Sequence, residues 1–400
     1  MTLTRRDFLK RGAVGLSAVA LPPRLATVGP VTRREPALVA LYLRGAADGL
    51  NLVVPHADPF YYSARPTIQI PPGEELDLDG FFGLNPALSD LLPLFQSGEL
   101  AILHAVGSPD PTRSHFDAQD FMEKAAPGDK SITDGWLNRY LVAAGGGDAL
   151  AGISLRQTKV KALLGPAPAL AFGSIGSFSF TGNYPIERRA ALETRYELMS
   201  DTLLGSSVAD AFSALDTIAG VPTDTDVIYP EGSALGRALK DAAALIKARI
   251  GVRIIAIDLS GWDHHTSELS RMDAVGGELA AALAAFREDL GTDSNRTLTL
   301  CMTEFGRRVA QNGGGGTDHG HGSIMLALGG GIAGGRVITK DAQWPGLAPE
   351  NLWRGQDLAV TTDFRDVFAE VLRRHMGLAD LAPVFPDFPV DAANFPGLYL

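Results

Sequence analysis

Hydrophobic positions in this chain fall into short unbroken runs, separated by longer stretches with helical spacing. "ALVALYL" (37–43), "LAILHAV" (100–106), "VRIIAIDL" (252–259), "TLTLCMT" (297–303) and "SIMLALGG" (323–330) are apolar at successive positions. That pattern predicts strands covered on both faces. Between them, "ALSDLLPLFQSG" (87–98), "LGRALKDAAALIKARI" (235–250) and "ELAAALAAFREDL" (278–290) read as helices, and "FRDVFAEVLRRHMG" (364–377) as a late helix stopped by Gly377. Strands alternating with helices predict an α/β domain built on a largely parallel sheet. From about residue 125 to 230 the pattern breaks into short pieces rich in Gly, Pro and Ser, read here as an insertion or cap. No internal repeat or heptad array is visible.

Composition narrows the class. With 400 residues, 46% of them hydrophobic, the chain can bury a large core. Its 45 glycines, about 11% against an average near 7%, point to tight turns and close backbone approaches, because apolar runs recur throughout. Net charge is −11 and no Lys/Arg stripe interleaves with aromatics, which argues against nucleic-acid binding. The single cysteine, Cys301, excludes an intramolecular disulfide and reads as a small buried hydrophobe in a strand.

The first residues, "MTLTRRDFLKRGAVGLSAVALPP", place Arg5-Arg6 before Phe8-Leu9-Lys10 and a mild apolar stretch from Gly12 to Leu21. This is the layout of a twin-arginine export signal, with a translocase as transient partner and the periplasm or exterior as destination. A membrane span needs about 20 apolar residues, so no stable span is expected in the mature form. Taking residues 1–26 as the signal removes five basic residues and one acidic, which carries the net charge from −11 to −15. The expected mature domain is 35–400.

Polar residues gather just past the strand ends, where parallel sheets place ligands. Asp48 follows the first run in "RGAADGLN", and Ser114 and His115 follow the second in "GSPDPTRSHFDAQD". "DLSGWDHHT" holds Asp263, His264 and His265; "TEFGRR" holds Glu304 and Arg307; "NGGGGTDHGHG" holds Asp318, His319 and His321. Five of the eight histidines therefore occupy three short loops. Imidazoles and carboxylates one or two residues apart suit a divalent cation, Zn²⁺ by default, with Mn²⁺ or Fe also compatible. Other roles stay open at single positions. Asp48 is equally a turn residue, Ser114 a helix cap, and Glu304 with Arg307 a local ion pair. His56, His104 and His375 lack such polar company and read as structural.

Taken together, "TRRDFLK", "LRGAADGLN", "RSHFDAQD", "DLSGWDHHT", "TEFGRR", "GTDHGHG" and "VTTDFRDV" resemble the domain-of-unknown-function 1501 family. This is a group of exported proteins placed in the alkaline phosphatase-like superfamily with sulfatases and cofactor-independent phosphoglycerate mutases. The resemblance implies a three-layer α/β sandwich and a metal-dependent hydrolase of phosphate or sulfate esters, its substrate a small or polymer-linked anionic ester. By position it implies Asp48 as the first metal ligand, Ser114 as the nucleophile equivalent, Asp263 and His265 as mid-chain ligands, and Asp318 with His319 as the late pair. His321 stands in for a downstream histidine that the superfamily usually supplies. Arg307 would steady developing negative charge, with His115 and Glu304 beside it. The mid-chain pair reads Asp-x-His where alkaline phosphatases use Asp-x-x-x-His. The Cys-x-Pro-x-Arg and Cys-x-Ser-x-Arg elements of formylglycine sulfatases are absent. Two other expectations are therefore carried forward: a binding or accessory protein on the same fold, and a metal-free serine hydrolase using Ser114.

Overall fold

The protein is described by a computed structural model covering residues 35–179, 185–198 and 203–399. The twin-arginine segment lies outside the described residues. Nine strands form the main sheet: β1 (Ala37–Arg44), β2 (Leu100–Gly107), β3 (Gly152–Ser154), β4 (Leu170–Ala171), β5 (Ile254–Ser260), β6 (Thr297–Met302), β7 (Ser323–Gly329), β8 (Arg336–Ile338) and β9 (Thr362–Asp363). Their order is β8-β2-β7-β6-β1-β5-β3-β4, with β9 also pairing β2. Every pairing is parallel except those of β7, which runs against both β2 and β6. Two of these strands, β3 and β4, come from the stretch read as an insertion and extend the sheet edge. The same stretch carries helices at Pro185–Glu197 and Leu203–Ala219.

Because β1 is buried on both sides, its alternate residues feed two cores. Val39, Leu41 and Leu43 join Ile255, Ile257 and Cys301 on one face, under the helices α3 (Ala234–Lys247) and α4 (Glu268–Leu290). Leu38, Ala40 and Tyr42 join Ile254, Ala256 and Met302 on the other, under α2 (Trp136–Ala143) and α5 (Phe364–Glu370). Period-two alternation into two apolar layers is what makes the unbroken runs read as one sandwich. Cys301 is buried and its thiol is pushed well up by burial, so it packs as a hydrophobe. Among the described residues, no helix is long and apolar enough to cross a membrane.

α5 contains a buried carboxyl with an energetic cost. Asp366 is 7% exposed, its Oδ1 has no hydrogen-bond partner, and burial together with the neighbouring Asp363 pushes its pKa up to about 6. A carboxyl raised above its ordinary value of about 3.9 favours the fold most when protonated, so this contribution is full below about pH 4 and is lost as the pH climbs toward 6. Asp366→Asn should therefore melt above wild type at pH 7, with the gap closing at pH 4. Thermal melts at the two pH values check this, and a variant less stable at both would refute it.

Candidate metal centre

The central strands β6, β1 and β5 are adjacent and parallel, so their carboxyl ends open on the same edge. β7 runs the other way, which brings the chain just before Ser323 to that edge as well. Four separate loops meet there, carrying His115, Asp263 with His265, Glu304 with Arg307, and Asp318 with His319. The glycine run is folded against them. Asn312 Oδ1 accepts from Gly314 N at 2.8 Å and Gly316 N at 3.2 Å, while Asn312 Nδ2 donates to His265 O at 2.9 Å. A Cβ on Gly316 would lie 2.4 Å from His264 O, and one on Gly320 2.3 Å from the Arg307 carbonyl carbon. Glycine is needed where these backbones touch.

Three imidazoles and one carboxylate converge. Ligand atoms of His115, Asp263 and His319 lie within 4.8 Å of one another. His265 Nε2 sits 3.0 Å from His319 Nε2 and 3.1 Å from Asp263 Oδ1, and His319 Nε2 sits 3.2 Å from the same oxygen. His115 Nε2 is 3.5 Å from Asp263 Oδ2 and is a buried atom without a hydrogen-bond partner. The opposite ring nitrogens all face outward. His115 Nδ1 donates to Glu304 Oε1 at 2.8 Å, His319 Nδ1 donates to Arg113 O at 2.8 Å, and His265 Nδ1 lies 3.4 Å from Asp318 Oδ1. Each acceptor fixes the hydrogen on Nδ1, so in a neutral ring each Nε2 turns a lone pair inward. Histidines held this way by carboxylate or carbonyl partners are typical of metal ligands. The edges of 3.0–3.2 Å among His265, His319 and Asp263 also match the roughly 3.3 Å edge of a tetrahedron with bonds of about 2.0–2.1 Å.

Charges around the cluster act on its rings in opposite directions. His115 is raised, first by its hydrogen bond to Glu304 and against the opposing pull of burial. Burial pushes Glu304 upward, but donation from His115, Gln119 Nε2 and Gly45 N holds it below the usual carboxylate range. Burial likewise pushes Asp263 up, and the Arg307 guanidinium against its Oδ1 outweighs that. His319 is lowered, chiefly by burial, which keeps its ring neutral and able to ligate.

The family model described as "Protein of unknown function (DUF1501)" matches residues 186–386, half of the chain. The chain belongs to this family. No curated protein matches it. Among solved structures, the C-terminal periplasmic domain of EcEptC from Escherichia coli in complex with Zn is 12% identical, covering 78% of this chain and 77% of that one at a TM-score of 0.37. The PsFucS1 sulfatase from Pseudoalteromonas sp. is 14% identical over 91% of this chain and 72% of that one, TM-score 0.39. The TAB5 alkaline phosphatase mutant with Mg bound is 9% identical over 76% and 94%, TM-score 0.32.

In this family member, the remaining residues singled out from the sequence lie around the cluster in other settings. Asp48 is 1% exposed, caps the short helix Gly49–Leu52 and is gripped by Arg65, whose Nη1 and Nη2 donate to its two oxygens at 2.5 and 3.2 Å. Both carboxylate oxygens thus accept from the Arg65 guanidinium, apart from the cluster of His115, Asp263 and His319. Ser114 Oγ accepts from Asp117 N at 3.4 Å as the cap of α1 (His115–Lys124), the bland half of its two readings. Arg307 spends its donors on Ala46 O, Thr317 O, Gly45 O, Trp262 O and Asp263, and its side chain is 0% exposed. Through Nη2 it orients Asp263. His321 stacks on Trp353 with ring centroids 4.2 Å apart, and burial followed by Arg113 and Arg354 lowers it to about 4. It is therefore absent from the ligand cluster that it was expected to complete.

Of the three histidines read as structural, two meet backbone carbonyls, while His56 lies beside the carboxylates of Glu75 and Asp77. His104 Nε2 meets Val53 O at 3.1 Å, His375 Nε2 meets Ala37 O at 2.9 Å, and His56 lies 3.3 Å from Asp77. The sequence reading missed Arg65, which stands beside no recognisable motif, and the roles of Gln119 and the Arg113 carbonyl, although both lie within "RSHFDAQD".

Proposed function

We propose that this is an exported, metal-dependent hydrolase of phosphate or sulfate esters, with His115, Asp263, His265 and His319 holding one divalent cation. Zn²⁺ suits three imidazoles and a carboxylate best, and Mn²⁺ or Fe accept the same donors. The observation that carries the reading is the orientation of the three rings: every Nδ1 faces an acceptor and every Nε2 faces Asp263. Inward lone pairs beside a carboxylate repel one another until a metal ion or ring hydrogens lie among them, and elemental analysis separates the two cases. When bound, such a cation polarises ester oxygens and lowers the pKa of a bound water. The chain's own residues set the geometry: Glu304 holds the His115 proton, Arg307 holds Asp263, Asp318 steers His265, and the Arg113 carbonyl steers His319. Export through the twin-arginine route is part of the same proposal and rests on residues 5–21 of the sequence.

Elemental analysis of the mature protein, purified in excess Zn²⁺ or Mn²⁺, should give about one equivalent of metal per chain. Hydrolysis of aryl phosphate mono- and diesters or aryl sulfates should disappear on chelation and return on reconstitution. A metal-free protein would sink the reading. One observation favours the second reading, a binding or accessory protein: Ser114 serves as a helix cap and Arg307 as scaffold. Stoichiometric metal with no turnover on the whole panel would select it, whereas turnover that survives exhaustive chelation would select a metal-free serine hydrolase.

A further inference from the structure

Beside the metal centre lies a group of cations that the chemistry above does not use. The Arg113 carbonyl holds the ligand His319, while its guanidinium, 27% exposed, reaches Asp357. Arg308, 37% exposed, follows Arg307 in sequence and is tied by its backbone to Asp318 and Asp357. Its Nη1 is 3.8 Å from Asp318 Oδ2, and its Nε is buried without a partner. Arg354 lies over the Trp353 ring at 4.2 Å, and the same ring carries His321. Arg113 pairs with Asp357, the backbone of Arg308 bridges to the same residue, and so does that of Trp353, over whose ring Arg354 lies; Asp357 is 0% exposed and has an unpartnered Oδ1. Asp318 is the other nearby acid, but it is already engaged by Asn312 Nδ2 and His265. Asp110 accepts from its own turn at Thr112 N. In a chain of net charge −11, three arginines gathered around one buried carboxylate, with only Arg113 paired to it, need an explanation.

We propose that Arg113, Arg308 and Arg354 form a second anion subsite, so that the ester acted on carries a further negative group, a carboxylate, sulfate or phosphate, on the portion that leaves. Guanidinium forks match such oxyanions in shape and charge. The Trp353–His321 stack gives Arg354 a rigid support, so less side-chain entropy is lost when an anion binds. A left-handed backbone at Arg354, φ +51°, costs energy in a non-glycine residue and presents its side chain over Trp353. The inference rests on the ester-hydrolase reading for the identity of the first group, and on this arginine cluster for the second.

Calorimetric titration of the zinc-loaded mature protein with methylphosphonate and with alkane bisphosphonates of two to six carbons separates the two ideas. One bisphosphonate length should bind about tenfold tighter than methylphosphonate, since a tenfold gain needs only about 1.4 kcal/mol. In Arg308→Gln and Arg354→Gln, both partly exposed positions, the ratio of the two dissociation constants should fall toward one. Equal affinities for mono- and bisphosphonates at every length would overturn the subsite, as would a ratio that survives both substitutions. Repeating the titration after chelation tests the hydrolase reading separately. Methylphosphonate binding that ignores the metal removes that reading, while an arginine-dependent bisphosphonate advantage that persists keeps the subsite.

Discussion

Asp263→Ala is expected to lose bound metal altogether, lowering Zn²⁺ affinity by more than the 10–100-fold typical of removing a supporting partner. The reason is that, among the described residues, Asp263 alone brings a carboxylate within 3.1–3.5 Å of all three inward nitrogens. Its removal also frees the Arg307 guanidinium, which is fully buried and would then face the three imidazoles as a bare positive charge. A cation entering that site would meet repulsion where the wild type offers compensation. Glu304→Gln provides the graded comparison. It keeps the shape beside His115 but removes the charge that holds the Nδ1 hydrogen, so its affinity should drop by about 10–100-fold and no further. Competition against a chromogenic chelator measures both variants. Because the Asp263 side chain is 45% exposed, the fold should survive the change; the melting temperature of wild type should rise on adding Zn²⁺ and that of Asp263→Ala should not. Near-wild-type affinity in Asp263→Ala would refute the four-residue centre.

The frame of the fold was readable because strands buried on two faces leave continuous apolar runs. β1, β2, β6 and β7 start at the expected residues, and β5 starts two later, at Ile254. That β7 runs antiparallel was not readable, since its composition is the same in either direction. Histidine-rich loops revealed the site for a similar reason: covalent neighbours such as Asp263 and His265 must share one short loop whatever the tertiary fold. Side-chain direction was less accessible. His319 and His321, two apart, would share one side of a regular extended segment, yet His319 faces the cluster and His321 stacks on Trp353, so the chain turns at Gly320 in a way the spacing does not show. Arg307 stands beside the site in sequence, yet four backbone carbonyls from three other segments claim it. Such contacts span tens to hundreds of residues and leave no local trace.

Arg65→Met should be strongly destabilising, costing about 3–5 kcal/mol near neutral pH. Arg65 is 0% exposed, and besides Asp48 it donates from Nε to Val309 O and from Nη2 to Arg308 O, each at 2.9 Å. Methionine fills similar space but leaves a buried carboxylate with no counter-ion. Burial pushes Asp48 up, and in the wild type the Arg65 guanidinium and the hydrogen bond with Glu268 outweigh it, holding Asp48 below the ordinary range. Glu268 is pushed up, first by burial and then by the Asp48 charge, and stays protonated while accepting from Asn51 Nδ2 and Thr317 Oγ1 at 2.8 and 2.9 Å. The signs are opposite. Asp48 contributes stability above its unfolded value of about 3.9 and loses it as the pH falls, whereas the contribution of Glu268 is full below about 4.3 and erodes as the pH rises. Without Arg65, burial dominates at Asp48 too, and its folded pKa moves above the unfolded one. The deficit of Arg65→Met should therefore be smaller near pH 3, below the unfolded value of Asp48, and grow toward pH 8. Urea unfolding at both values reads the difference directly; a deficit independent of pH, or below about 1 kcal/mol at pH 8, would contradict the pairing. Adding Asp48→Leu should restore most of the loss, because the energy sits in an unpaired charge, and a double-mutant cycle isolates that coupling. Recovery of this kind would also confirm that Asp48 is held for the fold beneath the centre, with the metal left to Asp263 and the three histidines.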